Sequence, residues 1–389
     1  MYIFLIYFIL WVNVCFCAST YEVVDVKNLG GSYSPSLPLK INDRGNLVGF
    51  SYKNIPIPFF FDFEKKSLQY LEVLNDKYPA YITDINNDDL IIGFADDDTF
   101  ISTSGRVRKS YPVIWNNFQI QNLSSTLGLG SIYQPSIYAL SINDSEIVGG
   151  FGFDLNKKNA DKRKSFVFNL NKSKQVASPT YSKSKKINLY TRLVSLNNNG
   201  DATGGVMYED LPFFGIGHGF SAGPKAFSCV WDSKRKKLLK LGNLGLSEEF
   251  YSFALDLNDA FKVVGGSETS LYDSKGNYFW HAFLWENGHL LDLGTLESNE
   301  DSIAYAINNF GEVVGVSGLM VEHKVESDRR TKGFYWSAKT GLENLNSLID
   351  SSLGWNIIMA KDINNSGQIA ALASRLGEVH IVILNPRQK

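Results

Sequence analysis

The chain alternates short apolar runs with clusters of Asn, Asp and Gly, and one unit of that alternation recurs along its length. In Ile307-Asn308-Asn309-Phe310-Gly311-Glu312-Val313-Val314-Gly315 an apolar strand end enters a polar turn and leaves as a second apolar strand. Asn and Gly tolerate the positive φ that a tight reversal demands, so the unit predicts a β-hairpin. Further copies run from Ile41-Asn42-Asp43 to Gly49, Ile85-Asn86-Asn87 to Gly93, and Ile142-Asn143-Asp144 to Gly149. Three more run from Leu196-Asn197-Asn198 to Gly204, Leu257-Asn258-Asp259 to Gly265, and Ile363-Asn364-Asn365 to Ala371. The marker asparagines lie 44, 57, 54, 61, 50 and 56 residues apart. Strand repeats with periods of this size predict a radial β architecture. The third copy reads as one residue shorter than the rest and lacks the turn glycine.

A second hairpin follows each first one. In Ala282-Phe283-Leu284-Trp285-Glu286-Asn287-Gly288-His289-Leu290-Leu291-Asp292-Leu293-Gly294 a strand ends on an aromatic, a polar turn follows, and the next strand ends in Asp-Leu-Gly. Phe61, Trp115, Phe168, Trp231 and Trp336 hold the equivalent aromatic position, where a large ring can pack one sheet on the next. Each repeat therefore supplies four strands, a to d. The seventh repeat stops after its third strand, Val379 to Leu384, while Tyr21 to Gly30 reads as a fourth strand preceding the first repeat. Pairing these ends removes two open edges. The predicted fold is an all-β, seven-bladed propeller of four strands per blade, closed by the N-terminal strand. The a–b and c–d turns then lie on one face, and the b–c and d–a connections on the other. Length variation concentrates in the b–c segments, Phe94 to Tyr111, Gly150 to Lys164, Gly205 to Lys225, Gly266 to Phe279 and Val316 to Lys332. Variable loops gathered on one face of a rigid scaffold are where function is expected, so the Asn turns mark the less promising face.

Composition changes this picture little. Among 389 residues, 44% hydrophobic content supports a large core, and a net charge of -2 sets up no field favouring nucleic acid. Heptad patterns are scarce, so little helix is expected. Met1 to Ala18 is uncharged and strongly apolar, and reads as a signal peptide, with an uncleaved anchor as the alternative. Residues 19–389 then form a single domain, secreted, periplasmic or at the cell surface. Cleavage would remove Cys15 and Cys17 and leave Cys229 without a disulfide partner.

The stretch His281-Ala282-Phe283-Leu284-Trp285, Asp292-Leu293-Gly294-Thr295-Leu296 and Ile307-Asn308-Asn309 to Gly315 resembles the bacterial HAF repeat. Degenerate copies cover essentially the whole chain after the leader, with Lys332-Gly333-Phe334-Tyr335-Trp336 the next best match. The resemblance implies an exported bacterial propeller-like protein and assigns no activity or catalytic residues.

Candidate chemistry is sparse. Asp84, Asn86 and Asp88 alternate oxygen donors, but the residue where a calcium loop needs its bidentate Glu is Ala95, and turn hydrogen bonds explain the same residues. The run Asp96-Asp97-Asp98 is the better cation candidate. His281 sits where other repeats carry Lys164 or Lys332, which points to a structural role. His218 lies in a Gly- and aromatic-rich b–c insertion together with Phe213. The basic runs, Lys234 to Lys237 among them, divide between the two faces, which fits solubility better than nucleic-acid binding. No Gly-x-Ser-x-Gly, His-Glu-x-x-His or P-loop motif occurs. Cys229 replaces Phe283 and Phe334 in the repeat, which marks a core position. The expected function is binding of a carbohydrate or protein by a monomer at the long-loop face, through Tyr208, Asp210, Phe213, His218 and Tyr272. No cofactor or nucleic acid is expected, and no membrane contact beyond a retained leader. The alternatives are a polysaccharide hydrolase or lyase, and a structural surface protein.

Overall fold

The computed structural model describes residues 20–30, 39–52, 56–75, 77–102, 105–127, 136–154, 162–177, 179, 189–208, 226–247, 249–318, 320–321, 324–325 and 331–387. The leader read from Met1 to Ala18 lies outside the described residues. Seven four-stranded antiparallel sheets form the seven blades of a propeller. The innermost a strands are Lys40–Ile41, Ala80–Ile85, Ile137–Ile142, Leu189–Leu196, Ser252–Leu257, Asp301–Ile307 and Asn356–Ile363. Blade seven takes its outermost strand from Tyr21–Gly30, which pairs with Glu378–Pro386 from Tyr21 opposite Pro386 to Gly30 opposite Val379. The amides of Thr20 and Tyr21 donate to the Leu348 carbonyl, and that of Arg387 to the Thr20 carbonyl, which fastens both ends of the seam. Helix is confined to Ser124–Leu127 and two single 3-10 turns among the described residues.

Each pair of neighbouring blades buries its own apolar cluster. Leu47, Phe59 and Phe61 of blade one meet Leu372, Ile381 and Ile383 of blade seven across the closure. Trp115 is fully buried between blades one and two, and Trp285 lies in the layer between blades four and five. Cys229 is buried in its strand, and burial pushes its thiol up to about 12, so it packs as a small apolar side chain.

The glycine that ends the repeat has a steric cause. Six of the seven a strands carry a bulge that inserts one extra residue, Thr83, Leu140, Val194, Leu255, Tyr305 and Lys361, and blade seven has a second at Ile358. In five of them the carbonyl beside the bulge presses on the facing b strand. A Cβ on Gly265 would lie 1.9 Å from the Phe253 oxygen, and one on Gly93 would lie 1.8 Å from that of Tyr81. Two of the extra residues, Leu255 and Tyr305 of blades five and six, join Leu39 of blade one in one apolar cluster.

Two features differ from the sequence reading. The third a–b turn is not shortened: Asn143 donates to the Ile147 carbonyl as Asn86 does to that of Leu90. Gly150 rather than Gly149 faces the bulge, the Tyr138 oxygen lying 2.0 Å from its hypothetical Cβ. Nor is that turn alone in lacking glycine, since Asp89, Glu146 and Phe261 all adopt positive φ there. Second, the b–c segments of blades two and five are largely strand. Ile91–Ser102 pairs with Gly105–Asn116, and Val263–Tyr272 with Tyr278–Glu286.

Candidate functional site

Of the residues expected to bind a ligand, Tyr208 and Tyr272 are among the described residues, each at the end of a b strand. Tyr208 ends the b strand of blade four, opposite Leu189. Asp210, Phe213 and His218 lie outside the described residues. Tyr272 sits on the projecting hairpin of blade five, 67% exposed, beside Leu271 at 58% and Tyr278 at 44%. The hairpin tip is held by Asp273, whose carboxylate accepts the amides of Lys275 (2.8 Å) and Asn277 (2.9 Å) and the Asn277 side chain (3.0 Å). The Asn277 contacts hold the Asp273 carboxyl below the usual carboxylate range. Tyr278 meets Tyr272 edge-on at 6.3 Å and Phe250 at 4.8 Å between ring centroids. A fixed tip thus presents a cluster of aromatic rings to solvent.

Asp96, Asp97 and Asp98 lie within a strand rather than a loop, at an irregularity in its pairing between Asp96 and Thr99. Asp96 is buried and accepts the Ser110 hydroxyl at 2.7 Å. Asp97 accepts the Tyr111 hydroxyl at 3.2 Å and pairs with Lys109 at 3.8 Å. The structure therefore gives these two carboxylates separate partners. Among the described residues no group of three or more His, Cys, Asp or Glu is placed to hold a metal ion.

The opposite face holds a feature that the repeat pattern contains in full but that only the ring makes visible. The first Asn of every a–b turn is buried and donates its amide to the backbone carbonyl of the matching Asn one blade on, at 2.7–3.3 Å. The series runs Asn42, Asn86, Asn143, Asn197, Asn258, Asn308, Asn364 and back to Asn42. Its side-chain oxygen accepts the amide four residues on, so it also shapes its own turn. The next residue makes a second ring. The backbone amide of each donates to the side-chain oxygen of its neighbour at 2.8–3.1 Å, through Asp43, Asn87, Asp144, Asn198, Asp259, Asn309, Asn365 and again Asp43. Asp and Asn alternate along this ring, so that Asn87 can donate to the carboxylates of both Asp43 (3.1 Å) and Asp144 (3.0 Å). An odd number of blades must break the alternation once. It breaks at Asn309 and Asn365, which places two amides side by side and no two carboxylates.

Below these rings the channel mouth narrows to a cavity of about 160 Å³ lined by Lys40, Asp84, Ser195, Asp256 and Asp362. Each acid again ties its blade to the next. Asp84 accepts the Ser141 hydroxyl (2.7 Å) and the Ile142 amide (3.0 Å), and Asp362 accepts the Ile41 amide (2.9 Å). Asp256 accepts the Ser195 hydroxyl (2.6 Å) and the Ile307 amide (3.0 Å). Lys40 stands 3.5 Å from Asp362. Burial alone would lower the Lys40 amine, but Asp362, Asp256 and Asp84 together raise it, so it stays charged. Burial and the neighbouring acids raise Asp362 to about 7, and burial raises Asp84. Burial, helped by Lys40, pushes Lys361 down to about 8, its amine lying 3.9 Å above the Tyr305 ring.

His281 donates its Nδ1–H to the Asp292 carboxylate at 2.9 Å, linking its c and d strands. The same pair recurs across the closure as His380 and Asp25 at 3.0 Å, which fits a structural role for both histidines.

A model of a protein family of unknown function (DUF3466) matches residues 246–378, about a third of the chain. No curated protein is similar in sequence. Among solved structures, an oligogalacturonate lyase in complex with manganese is similar in shape, with a TM-score of 0.50, 8% identity, and coverage of 95% of this chain and 97% of that one. The β-propeller domain of the Trilobed protease from Pyrococcus furiosus aligns with a TM-score of 0.49 and 11% identity over 91% and 97% of the two chains. Virginiamycin B lyase from Staphylococcus aureus aligns at 0.41 and 8% over 93% and 98%. At these identities the likeness concerns the propeller fold alone.

Proposed function

We propose that the chain is an exported binding protein that takes a carbohydrate or protein ligand at its b–c face. The observation that carries this reading is the fixed hairpin tip of blade five, which exposes Leu271, Tyr272 and Tyr278 together. Rigid aromatic rings supply large contact areas at little entropic cost, and such residues dominate the energy of binding surfaces. The Asn turns and channel-mouth acids of the other face support it from the opposite direction, because their carboxylates and amides join one blade to the next. Asp84, Asp256 and Asp362 each accept a neighbouring blade's backbone amide, which gives them a structural role between blades. The apolar leader and the resemblance to HAF repeats support export to the periplasm, the surface or the medium.

The test is a glycan and protein-ligand screen of residues 19–389, followed by Tyr272→Ala and Tyr278→Ala. Each substitution is expected to weaken the ligand found by about tenfold or more while the melting temperature holds. Unchanged affinity in both variants would remove the hairpin from the site.

A further inference from the structure

A groove runs along the closure seam on the a–b face, between the turn of blade one and the last strand of blade seven, on the side away from the aromatic hairpin. Its volume is about 980 Å³, at the upper end of the range that accommodates small ligands. Phe63 and Pro386 form its apolar walls, and Arg44, Gln368, Asn385, Arg387, Glu22 and Asp43 its polar ones.

What such a groove can recognise follows from which hydrogen-bonding groups are still free. Asp43 is fully engaged, accepting the Asn365 amide and the side chains of Asn87 and Asn365. The Gln368 oxygen accepts from Asn364, and its nitrogen donates to the Asn385 oxygen at 2.9 Å, leaving one N–H of Gln368 unused. The Asn385 amide nitrogen has no partner among the described residues. Arg44 gives one arm to Asp89 at 2.6 Å and keeps its other donors. Arg387 is anchored through its backbone amide on Thr20, and its exposed guanidinium makes no ion pair among the described residues. Exposed Glu22 supplies the one free carboxylate. The free set is therefore several planar donors and one strong acceptor, and the lining carries two cations, Arg44 and Arg387, against two anions, Glu22 and Asp43, so its charge sums to zero.

Charge balance offers a strongly anionic or cationic ligand no net attraction. A set of amide, guanidinium and carboxylate groups between apolar walls suits a molecule whose every polar group both donates and accepts, and hydroxyl groups do so. We propose that this seam groove is a binding site for a neutral oligosaccharide, separate from the aromatic hairpin of the b–c face.

The experiment is calorimetric titration of residues 19–389 with neutral oligosaccharides of glucose, galactose and mannose, and with uronic-acid oligosaccharides, at low and high salt. At least one neutral series is expected to bind, with an affinity that salt leaves unchanged. Glu22→Ala and Arg387→Ala, both at exposed positions, should each weaken that binding about tenfold with an unshifted melting temperature. Tyr272→Ala should leave it intact, and this variant separates the groove from the b–c face. Binding of uronic-acid oligosaccharides alone, binding lost in Tyr272→Ala but kept in Glu22→Ala and Arg387→Ala, or no saccharide bound at all would each overturn the assignment.

Discussion

Asn87 shows how closely single side chains are matched to their neighbours. Its amide bridges the carboxylates of Asp43 and Asp144, and its own oxygen accepts the Asp43 backbone amide. Asn87→Asp would set three carboxylates in a row and delete both bridges. Asn365→Asp would create only one such adjacency, with Asp43. Asn87→Asp should therefore cost about 1–2 kcal/mol more than Asn365→Asp in urea unfolding, with the gap shrinking in high salt. Asp362 carries a second residue-scale expectation. Its carboxyl titrates near 7 when folded and well below that when unfolded. The folded chain thus binds the extra proton between about pH 4 and 7, and stability falls as pH rises through that window. Asp84 acts in the same direction. Asp362→Asn should remove roughly 2–4 kcal/mol of the loss between pH 5 and 8, as read from urea midpoints at each pH. An equally steep loss in the variant would place the titration elsewhere.

Strand count, the doubled hairpin and the borrowed last strand were legible because each rests on local alternation of apolar and polar residues, or on a match such as Tyr21–Gly30 to the Asp-Leu-Gly strands. The bulges were not legible. In a strand buried on both faces, such as Ile137–Ile142, the extra residue breaks no alternation, and its trace is the glycine on the facing strand, which also reads as a turn or strand terminator. Once the close approach is known, Gly93, Gly150, Gly204, Gly265 and Gly315 share one cause. Gly265→Ala must push the Phe253 carbonyl away and should cost about 3 kcal/mol or more in unfolding free energy. Gly288→Ala, at positive φ with open space around it, should cost only about 1 kcal/mol. Equal costs would mean that the bulge relaxes freely. The b–c segments of blades two and five illustrate another limit: Asp96-Asp97-Asp98 breaks the apolar pattern, and the pairing of Ile91–Ser102 with Gly105–Asn116 shows only in the structure.

For the whole molecule, the seven Asn turns change meaning once they are placed in a circle. Along the chain each is a local hairpin, and their face looked the less interesting one. In the ring they form two cyclic hydrogen-bond series and a layer of interblade carboxylates. The closure between blades seven and one uses the same bonds as every other joint: Asn364 to the Asn42 carbonyl and Asn365 to Asp43. The alternation of Asp and Asn was present in the residue after each marker Asn, but reading it as a pattern requires knowing that Asn365 and Asp43 are neighbours. The candidate binding residues were less legible than the fold, because they depend on side chains of separate blades that no periodicity relates. Tyr272 could be picked out from its place in a variable segment, whereas Tyr278 and Leu271 join it only through the hairpin geometry.

The central claim is that the Asn turns act as one girdle and not as seven independent surface turns. Native-state hydrogen exchange at the amides of Asp43, Asn87, Asp144, Asn198, Asp259, Asn309 and Asn365 tests it most directly. Turn amides at a surface ordinarily exchange through local fraying at little free-energy cost. If the girdle holds the ring, all seven should exchange only through the same global opening that frees the core strands, with one shared free energy and one shared denaturant dependence. Seven different, low opening free energies, each insensitive to denaturant, would contradict it.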